Sequence, residues 1–217
     1  LNNLIHSTCP LCQTSVSTLK LQKKNGETYW DCSHCGLIFL DKNFFLTPEE
    51  ERARYCKHNN DVHDLNYQKF VSPAVDFITA NIPTSARGLD FGSGSGPVVS
   101  FMLQKQNFHV RQFDPFFCND QDVLKLKYDF IVSTEVIEHF HRPEVEFSKL
   151  ESLLQPNGKL ILMTDLYDDV IDFASWYYHQ DQTHVSFYRM QTFEWIKNAY
   201  SFVDLRRISS RTVVFYK

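Results

Sequence analysis

Glycine is scarce in this chain, with seven in 217 residues, and methionine is scarcer still, with three. No Lys/Arg block of five or more occurs anywhere, and the formal net charge is −4 at pH 7. Such a balance gives phosphate backbones no overall attraction, so charge leaves nucleic acid unsupported as a partner. No apolar run approaches the ~18–20 residues that a membrane helix needs, and the N-terminus carries no basic stretch followed by an apolar core. The expectation is a soluble, cytoplasmic protein with no membrane partner. What is abundant is apolar: 43% hydrophobic and 15% aromatic residues suffice for one ordinary domain with a small appendage.

Four of the six cysteines form two pairs, Cys9/Cys12 and Cys32/Cys35, spaced C-x2-C-x19-C-x2-C. That spacing points to a tetrahedral zinc site rather than to disulfides. Four thiolates fill the coordination shell, so the metal is expected to be structural. Residues 1–45 therefore read as a small separate zinc ribbon, too short to build a core without a staple. Its Lys20, Lys23, Lys24 and Lys42 are matched by Glu27, Asp31 and Asp41, so stability or docking is favoured over nucleic-acid reading. Cys56 and Cys118 stand alone and read as small buried hydrophobes.

Residues 46–83 read as a helical linker. Thr47, Pro48 and Glu50 have the spacing of a helix start with a capping box, and Phe70, Ala74, Phe77 and Ile78 fall on one face of a second helix. Over 84–217 the rhythm becomes strand, loop, helix, repeated, as expected for an α/β fold with a mostly parallel sheet covered on both faces. "FVDLRRI" and "TVVFYK", separated by a short polar turn, predict an antiparallel C-terminal hairpin.

Three of the seven glycines fall within five positions, in "LDFGSGSGP". A strand ending near Asp90 and running through Gly92, Gly94 and Gly96 into a helix is the first turn of a nucleotide-binding fold, where missing Cβ atoms let a ligand approach the backbone. A second strand delivers Asp114, placed to accept both ribose hydroxyls. A diphosphate would be repelled by Asp90, whereas S-adenosylmethionine combines a ribose with cationic groups and no phosphate.

"LDFGSGSG", "FDP", "YDFIVSTEVIEHF" and "LQPNGKLILMT" resemble the successive motifs of class I S-adenosylmethionine-dependent methyltransferases, over roughly residues 65–217. The resemblance implies a Rossmann-like sheet, with Asp90, Gly92 and Gly94 along the methionine part of the cofactor and Asp114 at the ribose. It places Ser133, Thr134 and Glu135 near the reactive methyl. The chain departs from the pattern between Pro115 and Lys127, where the usual third strand is short or absent and Asp122 is the candidate adenine-recognising acid. The cysteine quartet resembles zinc ribbons fused ahead of some bacterial methyltransferases.

Glu135, Glu138 and His139 stand at i, i+3 and i+4, which on a helix would share one face. With His184 they could hold a second divalent metal, an arrangement similar to that of plant small-RNA terminal 2′-O-methyltransferases. Three readings stand side by side: metal ligands, a general base at His139 or His184 without metal, and structural roles. His141 is expected on the opposite, solvent side. The aromatic and acidic stretch 165–188 reads as lid and substrate pocket, with Trp176, Tyr177, Tyr178 and Tyr188 as contacts, and Tyr55, His58 and Asn59 are candidates to fold over the cofactor. Its aspartates, Asp165, Asp168, Asp169, Asp172 and Asp181, weigh against a polyanionic acceptor. The resulting expectation is O-methylation of a small molecule. RNA methylation, a dinucleotide-dependent oxidoreductase and a noncatalytic zinc-ribbon adaptor are the alternatives.

Overall fold

Two sheets organise the chain in this computed structural model, which describes residues 7–15, 17–57 and 61–217. The N-terminal strands are β1 (Ser17–Gln22), β2 (Thr28–Cys32) and β3 (Ile38–Leu40). Helices α1 (Pro48–Tyr55) and α2 (Leu65–Asn81) follow. The α/β part contains β4 (Arg87–Phe91), α3 (Val98–Gln104), β5 (His109–Phe113), β6 (Tyr128–Thr134), α4 (Pro143–Leu153) and β7 (Leu154–Met163). The chain ends with β8 (Ser186–Phe187), α5 (Met190–Ala199), β9 (Asp204–Arg207) and β10 (Thr212–Tyr216).

The large sheet has the order β5-β4-β6-β7-β10-β9, with β5, β4, β6 and β7 parallel and the last two strands antiparallel. This is a Rossmann-like sheet, and it follows from continuous burial of residues 88–91 in β4, 130–133 in β6 and 160–163 in β7, whose side chains are covered on both faces. β5 and β9 are the edge strands. The segment between β5 and β6 forms only a bridge between Asp114 and Cys118 and a 3₁₀ turn at Val123–Lys125, so the third strand of the usual pattern is absent.

The helix α1 starts at the expected capping box: Glu50 N–H donates to Thr47 Oγ1 and Thr47 N–H to Glu50 Oε2. α2 buries Val71, Ala74, Val75, Phe77 and Ile78, but Phe70 lies off that face at 36% exposure. Phe70 was expected in the core, and the structure places it on the wall of a cleft instead.

The small sheet runs β1-β2-β3-β8, all antiparallel. Its fourth strand is supplied from beyond β7. The expected separate ribbon at 1–45 is therefore completed by residues far along the sequence, and Cys9, Cys32, Cys35 and Leu37 share one apolar cluster with Ile137, Phe147, Tyr188 and Phe193. A three-stranded sheet of this size buries too little alone, and the added strand and shared core supply the missing contacts. Among the described residues no helix is long and apolar enough to cross a membrane.

Gly88 in β4 shows how tightly the central layer is packed. A Cβ there would sit 2.2 Å from Phe130 Cζ. Gly88→Ala is expected to cost about 1–3 kcal/mol through overpacking, read as a lowered denaturant midpoint with an unchanged m-value.

Candidate functional site

At the carboxyl edge of β4 the chain turns through Gly92 and Gly94, both at positive φ (+80° and +67°). At Gly92 a side chain is excluded twice, because its Cβ would also lie 2.4 Å from Val136 Cγ2. Asp90 lies beneath this bend at 3% exposure, its Oδ2 accepting from Ser100 N–H (3.2 Å) and Ser100 Oγ–H (2.8 Å). Burial pushes its pKa up to about 6, the Ser100 bonds oppose the shift, and the nearby Asp114 adds to it. Asp114 closes the bend from β5: its Oδ2 accepts from Gly94 N–H (2.9 Å), and its Oδ1 from Phe116 N–H (2.8 Å) and Phe117 N–H (3.0 Å).

These residues form one wall of a cleft of about 1050 Å³ that also reaches Thr134, Glu135, Tyr67, Phe70 and Tyr178. Ser133 does not reach it. Side chains alternate along β6, so Thr134 faces the cleft while Ser133 is fully buried and donates to Phe91 O (2.8 Å). Asp122 is also away from the cleft, its side chain 82% exposed and paired with Lys125. Tyr55 lines the cleft, whereas His58 and Asn59 lie outside the described residues.

The Glu-x-x-Glu-His segment is not a helix face. Glu135 takes a left-handed bend (φ +54°), and only a single 3₁₀ turn follows at Ile137–His139. Its two carboxylates nevertheless meet at one hydroxyl, that of Tyr178. Glu138 is fully buried, with Oε1 accepting from Tyr178 O–H (2.5 Å) and Oε2 from Thr164 O–H (3.0 Å). Glu135 Oε2 meets Arg211 Nη2 (2.6 Å) and Tyr178 Oη (3.2 Å), while its buried Oε1 has no hydrogen-bond partner among the described residues. Burial raises the pKa of both carboxyl groups; at Glu135 the neighbouring Glu138 charge adds to this and Arg211 opposes it.

His139 Nδ1 lies 2.9 Å from Thr183 O, and His184 Nδ1 lies 2.7 Å from Tyr178 O. A carbonyl only accepts, so each Nδ1 carries the proton, and His139 in its neutral form presents Nε2 as its lone-pair nitrogen. Burial lowers the pKa of His139, which favours that neutral form. Glu138, His139 and His184 bring one ligand atom each within 4.8 Å of one another. Glu135 is not among them; Arg211 draws it aside.

Other expected residues divide. Tyr177 and Tyr178 line the cleft, whereas Trp176 belongs to an aromatic cluster with Tyr29, Tyr167 and Phe173, and Tyr188 is fully buried with its hydroxyl on Ile137 O (2.9 Å). His141 was expected to face solvent, but it lines the cleft, stacked on Phe45 with Nε2 2.9 Å from Glu51 Oε1. Cys56 is exposed and Cys118 half-buried, so neither is the core hydrophobe expected.

Arg211 escaped the sequence reading. It sits in a polar turn, "SSRT", that carries no motif. Its Nη1 contacts Tyr177 Oη (2.9 Å) and Asp165 Oδ1 (3.3 Å), and its guanidinium lies over the rings of Phe70 and Tyr178 at 5.1 and 5.4 Å. The available signal was topological: the start of an antiparallel strand beside β7 lies at the carboxyl edge of the parallel strands, as the Thr212–Met163 pairing shows.

The cysteines converge at the far side of the shared core. Cys9 Sγ and Cys35 Sγ are 3.6 Å apart, Cys12 Sγ and Cys32 Sγ 3.5 Å, and all four lie within 4.8 Å. Tetrahedral thiolates at ~2.3 Å from zinc would be roughly 3.8 Å apart, so the cluster fits such an ion.

A family model described as a methyltransferase domain matches residues 63–206. No curated protein matches the chain by sequence. Among solved structures, the chain is similar to 1,6-didemethyltoxoflavin-N1-methyltransferase of Burkholderia thailandensis with bound 1,6-didemethyltoxoflavin and S-adenosylhomocysteine. The TM-score is 0.55 at 14% identity, over 91% of this chain and 97% of that one. It is also similar to an O-methyltransferase family protein from Burkholderia thailandensis (TM-score 0.54, 12% identity, 77% of this chain), of which it spans only 62%. A third is human N-acetylserotonin methyltransferase in complex with SAM (0.54, 8%, 93% of this chain and 79% of that one). At these identities the likeness speaks to the fold.

The Arg211–Glu135 pair can be isolated by a double-mutant cycle. Arg211→Ala is expected to destabilise by about 2–4 kcal/mol, because it strands a buried carboxylate, and adding Glu135→Gln should recover about 1–2 kcal/mol of the loss. Additive losses in thermal denaturation would show that the pair is uncoupled.

Proposed function

The chain belongs to the methyltransferase-domain family, matched over residues 63–206, and is an S-adenosylmethionine-dependent methyltransferase; from that premise we propose that it methylates an oxygen of a small-molecule acceptor. One observation carries the reading of the cofactor end: a carboxylate, Asp90, buried under a glycine bend with no cation paired to it among the described residues. The ammonium of the cofactor would supply the missing charge there, and the absent side chains of Gly92 and Gly94 leave the backbone open to it. A dinucleotide's diphosphate would meet the same carboxylate as repulsion.

A carboxylate has about four acceptor positions, and three of those on Asp114 are taken by backbone N–H groups. It is therefore read as holding one ribose hydroxyl, fewer than the two expected from the sequence. The cofactor supplies an electrophilic methyl group on a sulfonium sulfur. The protein's own work is alignment of the acceptor and removal of its proton. Thr134 and Glu135 stand at the end of β6 between the cofactor wall and the histidine pair, with Tyr67, Phe70 and Tyr178 as an aromatic wall for the acceptor. The hydroxyl proton passes to Nε2 of the His139–His184 pair, where each Nδ1–H already donates to a carbonyl that steadies the protonated ring.

Two features favour a small acceptor. The cleft, at about 1050 Å³, is sized for a cofactor with one modest partner, and three of its four lining Lys and Arg side chains, Arg54, Lys149 and Arg211, are already paired, with Asp181, Glu146 and Glu135. The similar Burkholderia enzyme holds 1,6-didemethyltoxoflavin in addition to its cofactor product. Oxygen as the acceptor atom accords with the O-methyltransferase family neighbour.

The clustering of Glu138, His139 and His184 favours a second reading, in which a divalent cation held by these three would acidify the acceptor hydroxyl. Metal-dependent turnover, abolished by a chelator and restored by Mn or Zn, would select it. The cysteine quartet is read as holding a structural zinc ion in a ribbon spanning roughly residues 1–45, with no open coordination position.

Asp90 is charged above its folded-state pKa of about 6 and neutral below it. S-adenosylhomocysteine, which keeps the ammonium, should therefore bind with constant affinity above pH 7 and about tenfold more weakly per pH unit below 6, measured by calorimetry. Because that pKa is raised, ionisation of Asp90 opposes folding as pH increases through 6. Asp90→Asn should accordingly bind poorly at every pH yet be about 1–3 kcal/mol more stable than the parent at pH 7.5. No binding heat with the parent protein would overturn the cofactor assignment.

In a panel of phenolic and sugar acceptors followed by S-adenosylhomocysteine release, His184→Ala should lower turnover about 10²-fold while cofactor affinity stays within about threefold. Unchanged turnover would remove His184 from the mechanism.

A further inference from the structure

The cysteine ribbon and the histidine pair meet through one short strand. The knuckle Cys32–Leu37 is closed by Cys32 N–H to Leu37 O (2.9 Å) and Gly36 N–H to Cys32 O (2.8 Å), and it leads directly into β3. β3 pairs with β8, Ile38 opposite Phe187 and Phe39 opposite Ser186, and Leu40 N–H donates to Val185 O (2.8 Å). Residues 185–188 are gripped on their other side by the turn that carries Glu138 and His139: Val185 N–H donates to Glu138 O (2.8 Å), Ser186 Oγ–H to Phe140 O (2.9 Å) and Tyr188 O–H to Ile137 O (2.9 Å). His184 directly precedes this strand, and Thr183 O accepts from His139. Arg189, just beyond it, pairs with Asp31 of β2 at 2.5 Å.

We infer that the cysteine quartet is a positioning element for the acceptor site: by fixing β3 it fixes β8, and so the placement of His184 against the Glu138–His139 turn. The inference goes beyond the ribbon's expected part in stability, and it rests on reading the histidine pair as the acceptor site. The polar bonds of the cofactor wall, among Asp90, Ser100, Gly94 and Asp114, involve no residue of the small sheet; the two share only apolar packing, through Leu89, Phe91 and Phe113. Loss of the quartet should thus loosen one end of the cleft and spare the other. Such selectivity distinguishes positioning from general stapling, because local opening follows the contacts of each cooperative unit.

The test compares amide hydrogen exchange and S-adenosylhomocysteine affinity in the full chain, its zinc content measured first, with the Cys35→Ser variant. Exchange over 183–188 and 137–140 should accelerate at least tenfold, while exchange over 87–100 and the affinity stay within about threefold of the parent. Acceleration confined to 9–40 would overturn the inference, because the ribbon would then be an independent module. Acceleration everywhere with loss of binding would overturn it too, since the quartet would then be a general staple. Where Cys35→Ser is insoluble, Asp31→Asn decides, as it keeps all four cysteines and removes the charge that bridges β2 to Arg189 and, within the small sheet, to Lys20 of β1. Faster exchange over 183–188 in that variant supports the inference, and unchanged exchange there overturns it. Failure of the parent to bind S-adenosylhomocysteine would count against the cofactor reading alone.

Discussion

A carboxylate buried with no counter-charge among the described residues organises this molecule. Asp90 is held under the bend by two donors from a single residue, Ser100, at the start of α3, and those neutral bonds do not restore the solvation lost on burial. The bend therefore does more than reverse the chain. It keeps an electrostatically costly group where only a cation small enough to approach a glycine backbone can relieve it. Asp114, directly after the neighbouring strand β5, shows the contrasting solution, with three backbone N–H groups meeting its charge. One acid is left wanting a cation and the other is pre-organised as an acceptor, which is the division of labour a cationic nucleoside derivative requires.

The opposite end of the cleft is balanced internally. Glu135 and Glu138 would repel each other in a buried setting, and Arg211, Tyr178 and Thr164 between them supply the donors that make the pair tolerable. Arg211 is itself clamped by the Phe70 and Tyr178 rings and by Asp165, so its charge is spent within the wall. A cleft with one cation-seeking end and one self-neutralised end suits a charged cofactor next to an acceptor of low charge. This polarity is the physical reason for preferring a small neutral acceptor to a phosphate chain.

Much of this was legible in the residues. Continuous apolar strands alternating with amphipathic segments gave the sheet, Thr47 and Glu50 gave a helix start to the residue, and glycine clustering in a glycine-poor chain located the bend. Misreadings arose where a local pattern was extended past the point at which tertiary contacts take over. Glu135, Glu138 and His139 have helical spacing, but Val136 must pack against Gly92, and the chain answers with a left-handed residue and one 3₁₀ turn. Ser133 came with the family resemblance, which implies that residues 133–135 lie near the methyl, whereas alternation along β6 turns Thr134 to the cleft and Ser133 to Phe91 O. Arg211 and β8 were invisible for a different reason: each matters only through partners distant in sequence, Arg211 through Glu135, 76 residues before it, and Phe70, and β8 through β3.

That last dependence works in both directions. A four-cysteine knuckle with three short strands cannot bury enough surface to stand alone, so it borrows a strand and part of the apolar cluster beneath α4 and α5. The borrowed strand, two residues long, would equally be too short to hold its place in a loop-rich segment without β3 on one side and the Glu138 carbonyl on the other. Stability of the ribbon and geometry of the histidine pair are consequently the same contacts counted from two ends. The four-cysteine segment is thereby tied to the strand that follows His184, while none of its side chains lines the cleft.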